Sequence, residues 1–536
     1  VGDVLDALGA VEGLDGVIAV TAEPRAAEAA RQAGAPADSA AADTLPAEPP
    51  RFRLAPDAQT WVESTLRSLT LREKAGQMVL AWTGGDYPGP ASPQMEALYT
   101  HVRRDGVGGI IISIGSPQAY VAKLNALQRN AEVPLLVMTD MESGPGMRLT
   151  GAGTDFPPVM GLAATGSDSL AFEVGRVIGV EAKAVGLHLT LSPVLDVNSN
   201  PENPIINTRS FGEDPAAVGR FAAAYVRGVH AGGLLAAGKH FPGHGDTRTD
   251  SHIDLPRIDA DRARLDAVEL PPFRAAVMAG IDGMLVGHIA LPRAAEDDRP
   301  ASLSRAMTSG ILRGEMKFDG LVITDAMNMG GLTRRYSQGE AAVLAIEAGA
   351  DLLLQPTDIP GVLDAVTRAV ETGRLTEARI DESVRRILSA KARAGLMGRR
   401  LADPAGLAAA VGTPAHRALA RTVAARSITL ARDERGLVPL TGAPRRVLAV
   451  TYVDGQAGGG TLAAALERAG IGCKAYYRVP THLQPAMREY APAVELPGTD
   501  EAARTHLAIP MSPVLSRAQA AAVVAAVRDA GLDRPH

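Results

Sequence analysis

The sequence predicts an α/β protein: a (β/α)8 barrel of the TIM type followed by a partial α/β sandwich. Three observations carry that expectation. Short apolar runs recur between residues 75 and 356, Ala-rich helical stretches separate them, and chemically unusual polar residues stand where the runs end. Near-continuous apolar strands flanked by helices signal a parallel sheet covered on both faces. Eight such strands in one stretch favour a closed barrel over a doubly wound sheet.

The runs are AGQMVLAW (75–82), GVGGIIISI (106–114), PLLVMTD (134–140), LHLTLSPV (187–194), LLAAGKH (234–240), GMLVGHI (283–289), GLVITDA (320–326) and ADLLLQP (350–356). SPQAYVAKLNALQRNA and SLAFEVGRVIGVEAKAVG between them read as helices. Asp140, Asp196, Lys239 with His240, His288 and Asp325 sit where these runs end. Barrel strand ends converge on one mouth, so residues far apart in the chain would face one another there.

At 536 residues the chain exceeds one ordinary domain. Residues 1–35 read as a strand, GVIAV, and a helix, with too little apolar area to stand alone. An Ala-, Pro- and Asp-rich linker spans 36–56, the barrel 57–400, and a helix with linker 401–430. Residues 431–536 open a second α/β unit with the strand RRVLAVTY and end on a helix that no strand follows. The chain starts at Val1 rather than Met, which leaves a cytoplasmic or an exported protein open.

A hydrophobic share of 46% against 21% charged residues describes a globular protein with a large core. Net charge −6 without basic clusters argues against nucleic acid as a partner. No apolar run reaches the roughly 18 residues of a membrane span. Cys473 is the only cysteine, which excludes an intrachain disulfide and a thiolate metal cluster. Oligomeric state is not legible.

The chemistry concentrates in KHFPGHGDTRTDSH, Lys239 to His252. His240, His244, Asp246, Asp250 and His252 are all capable metal ligands, but their spacing matches neither HExxH nor a paired-Cys site. A phosphate cradle would need a GK[ST] that does not follow. Proton transfer remains: an aspartate, Asp250, bonded to the imidazole of His252 would fix its tautomer and stabilise its protonated form. Asp325 follows four apolar residues and reads either as a helix cap or as a nucleophilic or basic carboxylate. Asp140 and Arg148, on either side of a Gly-rich turn, suit the grip of vicinal hydroxyls, with Glu142 an alternative partner and a surface ion pair the plainer reading. Arg209 and Phe211 lie on a loop beyond the fourth strand. A nucleophile at Asp325 and an acid/base at His252 would make a retaining glycosidase.

The loop matches KHFPGHG-x4-DSH at every fixed position, and the chain from about residue 57 onward resembles glycoside hydrolase family 3 in its β-N-acetylglucosaminidase branch. The resemblance implies Asp325 as nucleophile and His252 as acid/base, paired with Asp250. It implies a subsite for terminal N-acetylglucosamine from Asp140, Arg148, Arg209, Lys239 and His240, with His288 near the pocket. It implies muropeptides or chitin-like oligosaccharides as substrates; no metal is expected, on the ligand spacing and on Lys239 beside His240, and no other cofactor is expected. A β-glucosidase, a phosphorylase and an inactive carbohydrate-binding barrel are the alternatives. Ser143 departs from the family's D-x-E-G-G turn, which puts the presentation of Arg148 in question.

Overall fold

The computed structural model describes residues 18–21, 52–251, 254–295 and 298–433, with the backbone alone for 18–21 and 431–433. The expected second α/β unit, Cys473 and His252 lie outside the described residues. Two compact units divide the chain: Ala22–Thr429, and Val1–Thr21 with Leu430–His536. In the latter, β1 (Ile18–Thr21) pairs with β10 (Thr429–Asp433) in a two-stranded sheet.

The larger unit is the barrel. Its strands are β2 (Val79–Thr83), β3 (Gly109–Ile112), β4 (Leu136–Thr139), β5 (Leu189–Thr190), β6 (Leu235–Phe241), β7 (Gly283–Val286), β8 (Leu321–Thr324) and β9 (Leu353–Leu354). They run parallel in the order β8-β7-β6-β5-β4-β3-β2-β9, and a parallel bridge from Ile323 to Leu352 brings β8 and β9 together. Each expected run supplies one strand. The first run is shorter than expected, because residues 75–77 finish a helix, Leu71–Gln77. There the Thr70 side chain accepts from the Glu73 N–H and Glu73 reaches back to the Thr70 N–H, a reciprocal cap that favours helix over strand.

Helix starts follow local sequence. Ser92, Ser116, Asp214 and Thr413 each precede a proline and cap the helix with a side-chain oxygen, as at Pro117–Asn130 and Pro215–Ala231. Helix Pro414–Ser427 is fastened to the barrel by His416, whose Nδ1 lies 2.7 Å from Oε1 of the buried Glu181. Among the described residues no helix is long and apolar enough to cross a membrane.

Below the N-terminal strand ends Lys391 is fully buried, its ammonium 2.6 Å from Gln77 Oε1. Burial pushes its pKa down to about 7. The unfolded chain therefore holds more protons than the folded one between about pH 7 and pH 10, and stability rises with pH across that window. We predict that Lys391→Met raises stability by about 1–3 kcal/mol at pH 7 and flattens this pH dependence, read from urea unfolding midpoints. A less stable variant would show that the ammonium is compensated in the fold.

Candidate active site

The mouth of the barrel is built on one buried cation. Lys239, in β6, is 3% exposed, and its Nζ lies 2.6 Å from both Asp140 Oδ1 and Glu142 Oε1. Both carboxylates follow β4. Arg148 Nη2 donates to Asp140 Oδ2 at 3.1 Å. Arg209 grips Glu142 with two bonds, Nε to Oε2 at 2.9 Å and Nη2 to Oε1 at 2.7 Å. Burial opposes the ionisation of Asp140, but Lys239 and then Arg148 outweigh it and hold the carboxyl below its usual range. Burial likewise opposes ionisation of Glu142, and Lys239 and Arg209 hold it well below. Three cations thus meet two carboxylates. Arg148 Nε is buried and finds no acceptor in the protein.

Local sequence places these groups. Gly144 takes φ 116°, and a Cβ there would lie 2.7 Å from the Thr154 carbonyl oxygen. Ser143 has no left-handed backbone, so a side chain is tolerated there and Arg148 still reaches Asp140. The departure from the family turn leaves the pair intact. Arg209 sits on the turn Asn207–Arg209, two residues before Phe211. Phe211 is buried, stacked on Phe221 with ring centroids 5.9 Å apart. Tyr225, edge-on to Phe211, donates its hydroxyl to the Met141 carbonyl at 2.9 Å and so supports the Glu142 loop from below.

Asp196, after β5, organises the motif loop. It is fully buried, accepts the His244 N–H at 2.6 Å and the His240 N–H at 3.2 Å, and lies 2.7 Å from His240 Nδ1. That bond fixes the imidazole tautomer and aims Nε2 away from Asp196. The Lys239–His240 and Phe241–Pro242 peptides are cis. His244 lies between Thr247 Oγ1, 2.6 Å from its Nδ1, and Ser251 Oγ, 3.1 Å from its Nε2. Burial, with His240 adding to it, pushes its pKa down to about 4, so it is neutral at pH 7. Asn203 Nδ2 donates to the His244 carbonyl at 2.8 Å. The loop is held from the other side by Gly331, whose N–H donates to the Ser251 carbonyl at 3.2 Å.

Asp325 follows β8, and its Oδ1 accepts the Ala326 N–H at 2.8 Å. It caps no helix, since the next one, Gly330–Thr333, has Met329 at its cap. Burial opposes its ionisation, but His240, His288, the Ala326 N–H and Lys239 outweigh it and hold the carboxyl below its usual range. His288 is fully buried, with Nδ1 2.7 Å from Ser302 Oγ and Nε2 3.1 Å from the Ala326 carbonyl oxygen. Its ring supports the Asp325 loop from behind.

Lys239 and His240 thus share β6 with Asp140, Arg148 and Arg209 around them. Asp250 is partly exposed on the same loop as His244. The residues considered as metal ligands are dispersed, His240 on Asp196, His244 on Thr247 and Ser251, and Asp246 beside Arg264. Among the described residues no three His, Cys, Asp or Glu side chains gather as a metal site. Asp196 and Glu142 stand out here more than sequence reasoning foresaw. The position of Asp196 at a strand end was the available signal.

Paired carboxylates and cations at a barrel mouth suit a hydroxyl-rich, uncharged ligand, and comparison with known proteins agrees. Residues 70–390 match the family model described as "Glycosyl hydrolase family 3 N terminal domain". A second model, of the DegT/DnrJ/EryC1/StrS aminotransferase family, matches residues 438–528, outside the described residues. The chain is 34% identical over 431 residues to a Cellulomonas fimi protein named "Beta-N-acetylglucosaminidase/beta-glucosidase", covering 78% of this chain and 75% of the relative. It is similar to a solved family 3 β-N-acetylglucosaminidase from Paenibacillus sp. str. FPU-7, at TM-score 0.67 and 35% identity over 76% of this chain and 79% of the other. A structure described as "Beta-glucoside phosphorylase BglX bound to 2FGlc" is similar at TM-score 0.73 and 29% identity, over 84% and 83% of the two chains. The chain belongs to glycosyl hydrolase family 3. It is a glycoside hydrolase acting on O-glycosyl bonds.

We predict that Asp196→Asn lowers kcat/KM about 100-fold or more while the protein still folds, because the amide neither accepts from all three donors nor orients His240 as an anion does. Asp196→Ala should in addition cost about 2–5 kcal/mol in urea unfolding, leaving buried N–H groups without an acceptor. Unchanged turnover in the asparagine variant would show that Asp196 does not set the His240 ring.

Proposed function

We propose that the protein is a retaining exo-β-N-acetylglucosaminidase. It removes terminal, non-reducing N-acetylglucosamine from muropeptides or chitin-like oligosaccharides. Asp325 attacks the anomeric carbon and His252, paired with Asp250, protonates the departing oxygen. Neutral His252 then activates water, which releases the sugar with its β configuration. Asp140, Arg148, Arg209, Lys239 and His240 bind the terminal ring. The carrying observation is Asp325 at a barrel strand end, held in its ionised form by the imidazoles and Lys239 around it. An ionised carboxylate is what a nucleophile in this reaction requires. The name of the Paenibacillus relative supports the N-acetyl sugar over glucose, while that of the Cellulomonas relative carries both activities.

A second reading replaces water by phosphate as the acceptor. The likeness to the glucoside phosphorylase favours it. An imidazole acid/base, unlike a carboxylate, would not repel the incoming anion.

Aryl β-glycosides of N-acetylglucosamine and of glucose, each with and without phosphate and with EDTA, decide among these. Fast release from the N-acetyl substrate alone, insensitive to EDTA, is the expected result. A sugar phosphate product with faster release in phosphate would establish the second reading. Asp325→Ala should abolish turnover, by about 10⁴-fold or more, whereas His252→Ala should lose far less on substrates with an acidic leaving group. Full activity of the Asp325 variant would sink the nucleophile assignment.

A further inference from the structure

Two large apolar side chains break the burial pattern at the barrel mouth. Trp82, in β2, is 50% exposed, and Ile114, just beyond β3, is 51% exposed. Neighbouring strand residues point to opposite faces. Thr83 points to the helical layer, where the buried Lys123 of helix Pro117–Asn130 donates to its Oγ1 at 3.1 Å and to the Gly84 carbonyl at 2.8 Å. Trp82 therefore faces inward over the mouth, beside its register partner Ile111. The two loops are locked to each other and to the charged cluster. The Gly85 N–H donates to the Ile114 carbonyl, and the Gly115 N–H to the Arg148 carbonyl, each at 3.0 Å. Gly85 and Gly115 meet so closely that a Cβ on either would lie within 2.6 Å of the opposite backbone.

We propose that Trp82 and Ile114 form a stacking platform for the sugar ring on the leaving side of the scissile bond, and that this platform selects a pyranose aglycone. The inference rests on the glycosidase reading above and adds where the second ring of the substrate sits. A pyranose carries C–H groups on its faces, which pack on an indole as apolar surface while the equatorial hydroxyls stay in water. The cluster of Asp140, Glu142, Arg148, Arg209 and Lys239 offers charged partners to the hydroxyls of the terminal ring. The exposed indole and isoleucine offer apolar area, and the loop that carries Ile114 joins that cluster through the Gly115–Arg148 bond. A rigid, half-exposed aromatic surface adjoining a polar pocket is the form of a binding surface rather than of a core.

Trp82→Ala and Trp82→Phe, made in the full chain, test this on two substrates that share a terminal sugar. One is N,N′-diacetylchitobiose, whose aglycone is a pyranose; the other is β-N-acetylglucosaminyl azide, whose aglycone has no ring. In Trp82→Ala, kcat/KM on the disaccharide should fall roughly tenfold or more, chiefly through KM, with a change of less than about twofold on the azide. Trp82→Phe should recover much of the loss, and should the alanine variant fail to fold, Trp82→Gln, which keeps a long side chain but no ring, carries the test with the same expected split between the two substrates. Equal losses on both substrates, or no loss on either, would overturn the platform. A wild-type protein inert to both would overturn the glycosidase reading and the platform with it, whereas wild-type turnover of the azide leaves only the platform at stake.

Discussion

One buried ammonium holds the mouth of this barrel together. Taking a lysine charge out of water costs several kcal/mol, and the cost is met only while carboxylates stay in place around it. Lys239 has two, Asp140 and Glu142, and each of these is gripped by an arginine of its own. Moving any one member would strand a buried charge, so β4, β6 and the turn at Arg209 are tied into one arrangement. That rigidity is what a sugar site requires, because hydroxyl groups are discriminated by where donors and acceptors stand.

Behind the charges lies a neutral scaffold. Phe211, Phe221 and Tyr225 fill the space under the Glu142 loop, and the tyrosine hydroxyl satisfies its backbone carbonyls. Asp196 collects two backbone N–H groups and an imidazole, and so joins the loop after β5 to the motif loop after β6. His244, kept neutral by burial, passes the constraint on to Ser251, next to Asp250. His288 does the same for Asp325 through the Ala326 carbonyl. Of the three histidines here, two are props and one, His240, stands in the pocket wall.

Much of this was legible in the residues. The eight apolar runs gave eight strands, because a buried parallel strand needs apolar side chains on both faces and leaves an unbroken run in the sequence. The strand-end positions of Asp140, Lys239, His240 and Asp325 were equally plain, since a polar residue closing such a run has nowhere to go but the mouth. The helix that takes residues 75–77 was hidden, because its cap at Thr70 and Glu73 competes with an apolar run that overlaps it.

The sequence by itself determined the barrel, the residue types that meet at its mouth and, through the KHFPGHG-x4-DSH motif, the family. Only the tertiary structure decided the partnerships. Glu142 shares Lys239 with Asp140 and takes Arg209, while His288 turns inward to brace a loop. Trp82 reads in sequence as one more core aromatic, and stands half in water at the rim. The physical reason is that apolar patterning is a property of consecutive residues, read along the chain. Ion pairing and exposure are set by which loops close on one another across the barrel, and those contacts join residues scores of positions apart.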